Sequence, residues 1–566
     1  MDEFLTTAQH WMDLDPEHAE ILAKEISAAR REEDWAIAAL TARFAGFLTF
    51  GTAGLRAPVG PGTTRMNRIV VQRAAAGIAD FAHERADEPV VVIGYDARHR
   101  SRDFAVDSAA VFTAAGCRVQ LMPTTTPTPI LAYALKHLAA DIGIMVTASH
   151  NPPADNGYKV YLGPRLLPPE DSTGAYAQIT SPTDELIAAK IHAWNISSDQ
   201  PELAGSGWEL LSEDISTDYV EAVRHFLSNV SSSKDRHALN VVYTPMHGVG
   251  AGVFCQLMDA TGFNTVSVVD QQVDPDPAFP TVAFPNPEEP GALDLAISTA
   301  DSLRDTDLII AHDPDADRLA AAVLVAGEWR RLSGDHVGLL LGARLMPYLA
   351  ANNLSISNSV VSAPQLAQLA SHYGVPHQAT PTGFKWICRA PDLGFGYEEA
   401  LGYAVAPHLV NDKDGLSAAV ILADLAAELK AQGTDLVGYL QELTEQVGPT
   451  ITDQISVPVP SPSVGSLLVD DLRKNPPLKL AQQSPVIAVD YANSQVDLAQ
   501  RYGPMNMVEF STEGLVTARL MIRPSGTEPK VKCYISVSAT PGTPFETVQA
   551  AMVDLREEAA NLVNIE

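Results

Sequence analysis

Short apolar runs of strand length, each followed by a segment with helical spacing, recur along most of this chain. Residues 89–96, 118–122 and 141–146 read as buried strands. Residues 101–115 and 126–140 read as the helices between them, with Ser101 as N-cap and Gly116 as terminator. A second cycle follows, with strands at 239–244, 265–270 and 307–311 and helices at 250–260 and 291–303. It is interrupted by a proline-rich irregular loop over 274–290. A hairpin, 319–325 with 329–332 turned at Ala326-Gly327, is expected to open a third cycle, which helices 334–350 and 415–431 flank. From about Gln454 the pattern changes to alternation over 455–459, strands at 515–522 and 531–538, and a closing amphipathic helix, 544–562. That is an α+β pattern rather than another βαβ unit. Polar helices are expected at 16–31 and 32–47, and a polar, helical connection over 183–238. The expected fold is therefore α/β: three similar α/β domains with mixed sheets plus a C-terminal α+β domain. The expected bounds are 1–205, 206–328, 329–445 and 446–566.

A length of 566 residues agrees with four domains at roughly 150 residues each. The formal net charge of −31 argues against nucleic acid and anionic membrane surfaces as partners. It leaves room for an anionic small substrate, because a local basic cluster can dominate a cleft. Cys117, Cys255, Cys388 and Cys533 lie far apart with no metal-type spacing, as expected of small buried residues in a reducing compartment. The start Met-Asp-Glu has no basic region followed by an apolar core, so no signal peptide is expected. No uncharged apolar run approaches membrane-span length. A cytoplasmic protein is the expectation.

The chemistry is concentrated in a few loops. Thr147-Ala148-Ser149-His150-Asn151-Pro152 follows the apolar run that ends at Val146, so Ser149 is delivered to a strand end. In open α/β sheets ligands sit at such ends. Asp313-Pro314-Asp315-Ala316-Asp317-Arg318 follows another strand, and its three carboxylates can converge on one hard cation. A solvated acidic turn is the alternative. An EF-hand fails, because Arg318 stands where that loop needs glycine and Leu324 where it needs glutamate. Arg523-Pro524-Ser525-Gly526-Thr527-Glu528-Pro529-Lys530, with Lys532 beyond, describes a phosphate cradle or a plain turn with surface cations. Asn156-Gly157 is a turn signal that should bring Lys159 back near Ser149, as a proton carrier if its pKa is lowered or as a phosphate contact. Gly396-Tyr397-Glu398-Glu399-Ala400-Leu401-Gly402 suits sugar hydroxyls or a solvated acidic turn. No hydrolase elbow surrounds Ser149, and on an extended chain its neighbour His150 would point elsewhere. No Walker or dinucleotide-binding fingerprint is present.

Taken in this order, the loops resemble those of the α-D-phosphohexomutase family, the phosphoglucomutases and phosphomannomutases. Gly51-Thr52-Ala53-Gly54-Leu55-Arg56, residues 155–161 and Gly383-Phe384-Lys385-Trp386 are most similar to the branch that also holds phosphopentomutases and glucose-1,6-bisphosphate synthases. The resemblance implies four domains around one central cleft: phosphoserine, metal-binding, sugar-binding and C-terminal phosphate-binding. It implies a hexose 1-phosphate/6-phosphate mutase with a phosphoserine at Ser149. The metal would be Mg2+, held by Ser149, Asp313, Asp315 and Asp317. A sugar 1,6-bisphosphate would serve as intermediate and activator. Lys159 and His150 would assist proton transfer and hold phosphate, and Arg56 and Arg318 would steady phosphoryl oxygens. Gly383, Phe384, Lys385, Glu398, Ala400 and Lys413 would meet the sugar, and Arg523, Ser525, Gly526, Thr527 and Lys532 its second phosphate. Partners would be small sugar phosphates, with the chain a monomer or weak oligomer. Two departures bear on the substrate: Ala400 stands where serine is usual, and Lys532 where arginine is common. Phosphopentomutase, sugar-bisphosphate synthase and a non-catalytic sugar-phosphate-binding protein remain as alternatives.

Overall fold

The computed structural model describes residues 2–49, 54–194, 200–525 and 530–563. The chain divides into two compact units. The first comprises Met1–Ser228, His237–Ala321 and Ala406–Val420; the second comprises Asn229–Arg236, Ala322–Val405 and Ile421–Glu566.

The first unit opens with helices Asp2–Leu14, Ala19–Ala29 and Asp34–Phe44. They close over Trp11, Leu22, Ile26 and Leu40, all buried. The first sheet uses β1 (Leu55–Pro58), β2 (Val90–Tyr95), β3 (Arg118–Leu121), β4 (Ile142–Val146), β5 (Asp155–Leu162) and β6 (Glu209–Leu210), in the order β1-β5-β4-β2-β3-β6. Strands β3, β2 and β4 are parallel, and β5 is antiparallel to β4 with Met145 opposite Lys159. The parallel strands are apolar almost throughout because helices cover both faces. The helices come close to expectation, at Ser101–Ala114 and Thr128–His137. Ser101 is not the N-cap. Arg100, at φ +72°, holds that position, and the Ser101 hydroxyl bonds Asp96 instead. The Asn156-Gly157 pair also differs, lying inside β5. The reversal it was expected to make occurs earlier, between β4 and β5, where Pro152 and Pro153 block a helix.

The second sheet contains β7 (Asn240–Thr244), β8 (Thr265–Val268), β9 (Leu308–His312), β10 (Leu319–Val325) and β11 (Glu328–Arg331), in the order β11-β10-β9-β7-β8. The hairpin turns at Ala326 (φ +51°) and Gly327 (φ +87°), the left-handed pair that a two-residue turn needs. It extends this sheet rather than opening a third cycle. The chain passes from the first unit to the second within β10.

In the second unit, β12 (Ser355–Ser359), β13 (His377–Thr380), β14 (Leu393–Glu398) and β15 (Gly402–Ala404) form a sheet of order β13-β12-β14-β15. The last sheet, β16 (Thr450–Pro458), β17 (Ile487–Asp490), β18 (Val508–Ser511), β19 (Val516–Pro524) and β20 (Lys530–Ala539), has the order β16-β20-β19-β18-β17. All its pairings are antiparallel. Helix Phe545–Val563 covers it, as the α+β pattern implied. Among the described residues, no helix is long and apolar enough to cross a membrane.

Candidate functional site

In the first unit, the end of β4 runs straight into Thr147-Ala148-Ser149. Ser149 is buried and takes φ +51°, a left-handed conformation rare outside glycine. Its amide donates to Thr147 Oγ1 at 2.9 Å, and Thr147 Oγ1 donates to Asp96 Oδ2 at 2.6 Å. The bend turns Ser149 Oγ toward Asp313, whose Oδ2 it meets at 2.7 Å. His150 Nδ1 lies 3.1 Å from the same oxygen. The expectation that His150 points away fails because the chain is not extended here. The serine proton goes to Asp313, so the His150 contact is satisfied with Nδ1–H donating. Burial, then Arg318 and Arg56, hold the His150 imidazole well below its usual pKa, so the ring is neutral.

The loop after β9 gathers Asp313, Asp315 and Asp317, all fully buried, with ligand oxygens within 4.8 Å of one another. Its tightness depends on two close approaches. A Cβ on Gly248 would lie 2.4 Å from Pro314 Cα, and one on Gly415 would lie 2.4 Å from Arg318 O. Lys159 Nζ bonds Asp315 Oδ2 and Asp317 Oδ2, each at 2.7 Å. Thr128 Oγ1 donates to Asp315 Oδ2 at 2.6 Å, and Lys413 Nζ stands 3.3 Å from Asp317 Oδ2. Asp315 Oδ1 and Asp317 Oδ1 are buried without a hydrogen-bond partner. Two unpaired buried carboxylate oxygens beside a third carboxylate fit a hard divalent cation, which takes oxygen ligands.

Charge sorts these groups. Burial and the neighbouring Asp315 and Asp317 push the Asp313 carboxyl well above its ordinary range. Burial acts the same way on Asp317, but Lys159, Lys413 and Arg318 outweigh it and hold this carboxyl well below. For Lys159, burial favours the neutral amine, and Asp315 and Asp317 overcome it, so its pKa is raised. Lys159 thus owes its charge to the same two carboxylates that could hold a cation.

Arg56, on β1 opposite Gly157, has a buried Nε without a partner and lies within the field of Asp315, Asp317 and Asp313. The Arg318 amide donates to Asp313 Oδ1 at 3.0 Å, and its guanidinium reaches Glu288 at 3.5 Å. The 406–420 stretch delivers Lys413. Tyr161 and Gln178 each donate to Asp412 Oδ2 at 2.7 Å, and Tyr219 donates to Asp414 at 2.8 Å. His312 Nε2 bonds Gly415 O at 3.0 Å.

The remaining candidates belong to the second unit. Glu398 ends β14, and Ala400 sits in the turn before β15. Gly383, at φ +110°, precedes the short helix Phe384–Ile387, in which the Phe384 ring is buried. The Lys385 ammonium lies 5.9 Å from the Trp386 ring. Arg523 pairs across the β19–β20 ladder with Lys532 and donates to Tyr534 Oη at 3.0 Å. Its Nε is buried without a partner. The Ser525 amide bonds Lys530 O at 2.8 Å. Gly526 and Thr527 lie outside the described residues, as do Gly51, Thr52 and Ala53.

Sequence reasoning missed Asp96, Thr128, Asp412 and the tyrosines that bond the 406–420 stretch. Asp96 had a signal. Strand β2 pairs in parallel with β4, so the rule that drew attention to Ser149 applies equally to the residue just after Tyr95.

Known proteins resemble this chain over most of its length. The family models described as phosphoglucomutase/phosphomannomutase alpha/beta/alpha domains I, II and III match residues 48–185, 217–325 and 333–447. The Haemophilus influenzae protein named "Probable phosphomannomutase" is 41% identical over 83% of this chain and 92% of its own. A phosphopentomutase of Mus musculus is 35% identical over 95% and 90%. Among solved structures, the Paramecium phosphoprotein pp63/parafusin, a phosphoglucomutase, shares the fold with a TM-score of 0.67. Its identity is 18%, over 91% of this chain and 95% of that one.

Proposed function

The chain belongs to the α-D-phosphohexomutase family, and from that premise we propose that it interconverts hexose 1-phosphates and hexose 6-phosphates through a phosphoserine at Ser149. The observation that carries the reading is Ser149 Oγ 2.7 Å from Asp313, beside a carboxylate trio that Lys159 and Lys413 flank. A binding protein has no need of a nucleophile bent into a cluster of buried carboxylates. Phosphoserine gives its phosphoryl group to the free hydroxyl of the sugar phosphate. The P–O bond to Oγ breaks as the bond to the sugar oxygen forms, and the proton lost by the sugar hydroxyl is balanced by one gained at Ser149 Oγ, which is left as a free hydroxyl. The resulting 1,6-bisphosphate turns end for end and returns its other phosphoryl group to Ser149. The same bisphosphate would serve as activator for any unphosphorylated enzyme.

Lys159, an ammonium here, suits holding a phosphoryl oxygen, as do Arg56 and Arg318. A neutral His150 whose Nδ1–H faces Oγ suits donating a hydrogen bond to the serine oxygen and the phosphoryl group it would carry. Mg2+ bound by Asp313, Asp315, Asp317 and Ser149 Oγ would neutralise charge on a phosphoryl group in transfer. Glu398 reads sugar hydroxyls, and Arg523, Ser525 and Lys532 hold the phosphate that is not transferred. The four stretches 1–205, 206–328, 329–445 and 446–566 would thus supply the phosphoserine, the metal site, the sugar reader and the phosphate cradle, in a cytoplasmic enzyme.

A pentose substrate is the second reading. The mouse phosphopentomutase matches over 95% of this chain, and Ala400 supplies no hydroxyl to a hexose. Coupled assays with glucose, mannose and ribose 1-phosphates in parallel decide between the two. The highest kcat/KM for a hexose phosphate supports the first reading, and the highest for ribose 1-phosphate replaces it with the second.

A further inference from the structure

Arg98 lies in the loop after β2 and is 4% exposed. No charged group of a substrate is needed to account for its position, because its partners are backbone. One terminal nitrogen donates to Ser149 O and Asn151 O, each at 2.6 Å. The other donates to Pro152 O at 2.8 Å and Asp155 O at 3.1 Å. Asp96 stands 3.5 Å from Nε and accepts the Arg98 amide at 2.9 Å. The Phe279 ring, from the proline-rich loop, lies 5.0 Å from the guanidinium carbon. One planar cation thus ties four carbonyls across the turn that carries Ser149. The same Asp96 holds Thr147, which holds the Ser149 amide. Lysine has a single point of donation and cannot reproduce this fork.

We propose that Arg98 is a positioning residue for the transferring serine: its guanidinium, held by Asp96 and backed by Phe279, fixes the left-handed turn that aims Ser149 Oγ at Asp313. The inference rests on Ser149 being the phosphoryl carrier. Arg98 touches no reacting atom and acts through the backbone. Its loss therefore misaims the serine without changing how the sugar phosphate is held, and a small displacement of a reacting atom is enough to slow transfer strongly.

The test compares wild type, Arg98→Lys and Arg98→Met in steady-state mutase assays with glucose 1-phosphate and saturating glucose 1,6-bisphosphate. Melting temperature and the 31P spectrum of the phosphorylated enzyme are recorded beside them. The expected result for both variants is kcat lower by about 100-fold with KM within about twofold, and a phosphoserine resonance shifted or broadened relative to wild type. Either variant keeping kcat within about threefold of wild type overturns the proposal. So does a fall in activity that only follows the folded fraction. If neither variant folds, Phe279→Leu decides. It leaves the hydrogen bonds in place but removes the backing ring, and should lower kcat by about 3- to 10-fold with KM unchanged. An unchanged kcat in that variant overturns the proposal. Wild-type enzyme without phosphoserine or mutase activity would remove the underlying reading itself, an outcome distinct from these.

Discussion

Ser149 adopts a backbone conformation that costs an ordinary residue roughly 1–2 kcal/mol, and the Thr147 and Asp96 bonds keep it there. None of those bonds uses the serine hydroxyl. Ser149→Ala should therefore keep the turn and fold, with its melting temperature lowered only by loss of the hydroxyl's bond to Asp313, and lose mutase activity by a factor of about 10³ or more. Its tryptic peptide should carry no phosphoryl group where the wild-type peptide does. Full activity in that variant would sink the mechanism. Asp315 differs in kind, because it binds Lys159 and Thr128 through one oxygen and leaves the other unpaired. Asp315→Ala should cut kcat by about 100-fold with little change in KM, since the charge it serves develops during transfer. A chelator should abolish wild-type turnover and added Mg2+ restore it; a rate indifferent to chelation would make the aspartate loop a structural turn. Ser149 and the three aspartates were legible because each group of residue types falls within six consecutive positions. The His150 contact was not, because a left-handed serine is set by Asp96 and Arg98, about fifty positions away.

The β14–β15 turn shows how an element can impose chemistry on a residue that the sequence marks only as acidic. Glu399 follows Glu398 in the chain, but its carboxylate is drawn inward. Ser362 Oγ donates to it at 2.8 Å and Ser359 Oγ at 3.2 Å. Burial, with Glu398 and Asp335 nearby, raises its pKa from 4.5 to about 7. The folded chain then binds more protons at this site than the unfolded chain does between those two values. Stability from this group is greatest at the acid end and falls as pH rises through the window. Glu399→Gln, which imitates the protonated acid, should gain in melting temperature relative to wild type as pH goes from about 5 to about 7.5, with no further gain above. A difference flat in pH would show that the carboxyl titrates normally. Sequence pattern located this turn and its carboxylates but not which one faces inward, because Ser359 ends β12 and Ser362 lies in the loop after it, both about forty positions away. The β10–β11 hairpin makes the same point. Its two-residue turn was legible from Ala326-Gly327, but the sheet it joins is decided by β9, beyond its own residues.

At the scale of the whole molecule, a net charge of −31 meets substrates that are themselves anions. Within the first unit, Arg56, Lys159, Arg318 and Lys413 sit among Asp313, Asp315, Asp317 and Asp412, so the local balance is close to neutral and the distant field is repulsive. Salt shortens the reach of such a field from about 30 Å at 0.01 M to about 10 Å at 0.1 M, while contacts at bonding distance are screened far less. The kcat/KM for a sugar phosphate should accordingly rise over that range of sodium chloride at fixed Mg2+. A steady fall would mean that the local cations govern approach at every distance. The path of the chain has a consequence of another sort. The first unit is interrupted after Ala321 and completed by Ala406–Val420, the stretch that Tyr161, Tyr219 and His312 hold. During synthesis, nearly a hundred further residues must emerge before that stretch exists, roughly 5–20 s at ordinary elongation rates. For that interval the nascent chain displays buried tyrosine hydroxyls and an aspartate loop with no Lys413, so a ribosome pausing in the third sheet leaves the reaction centre unfinished.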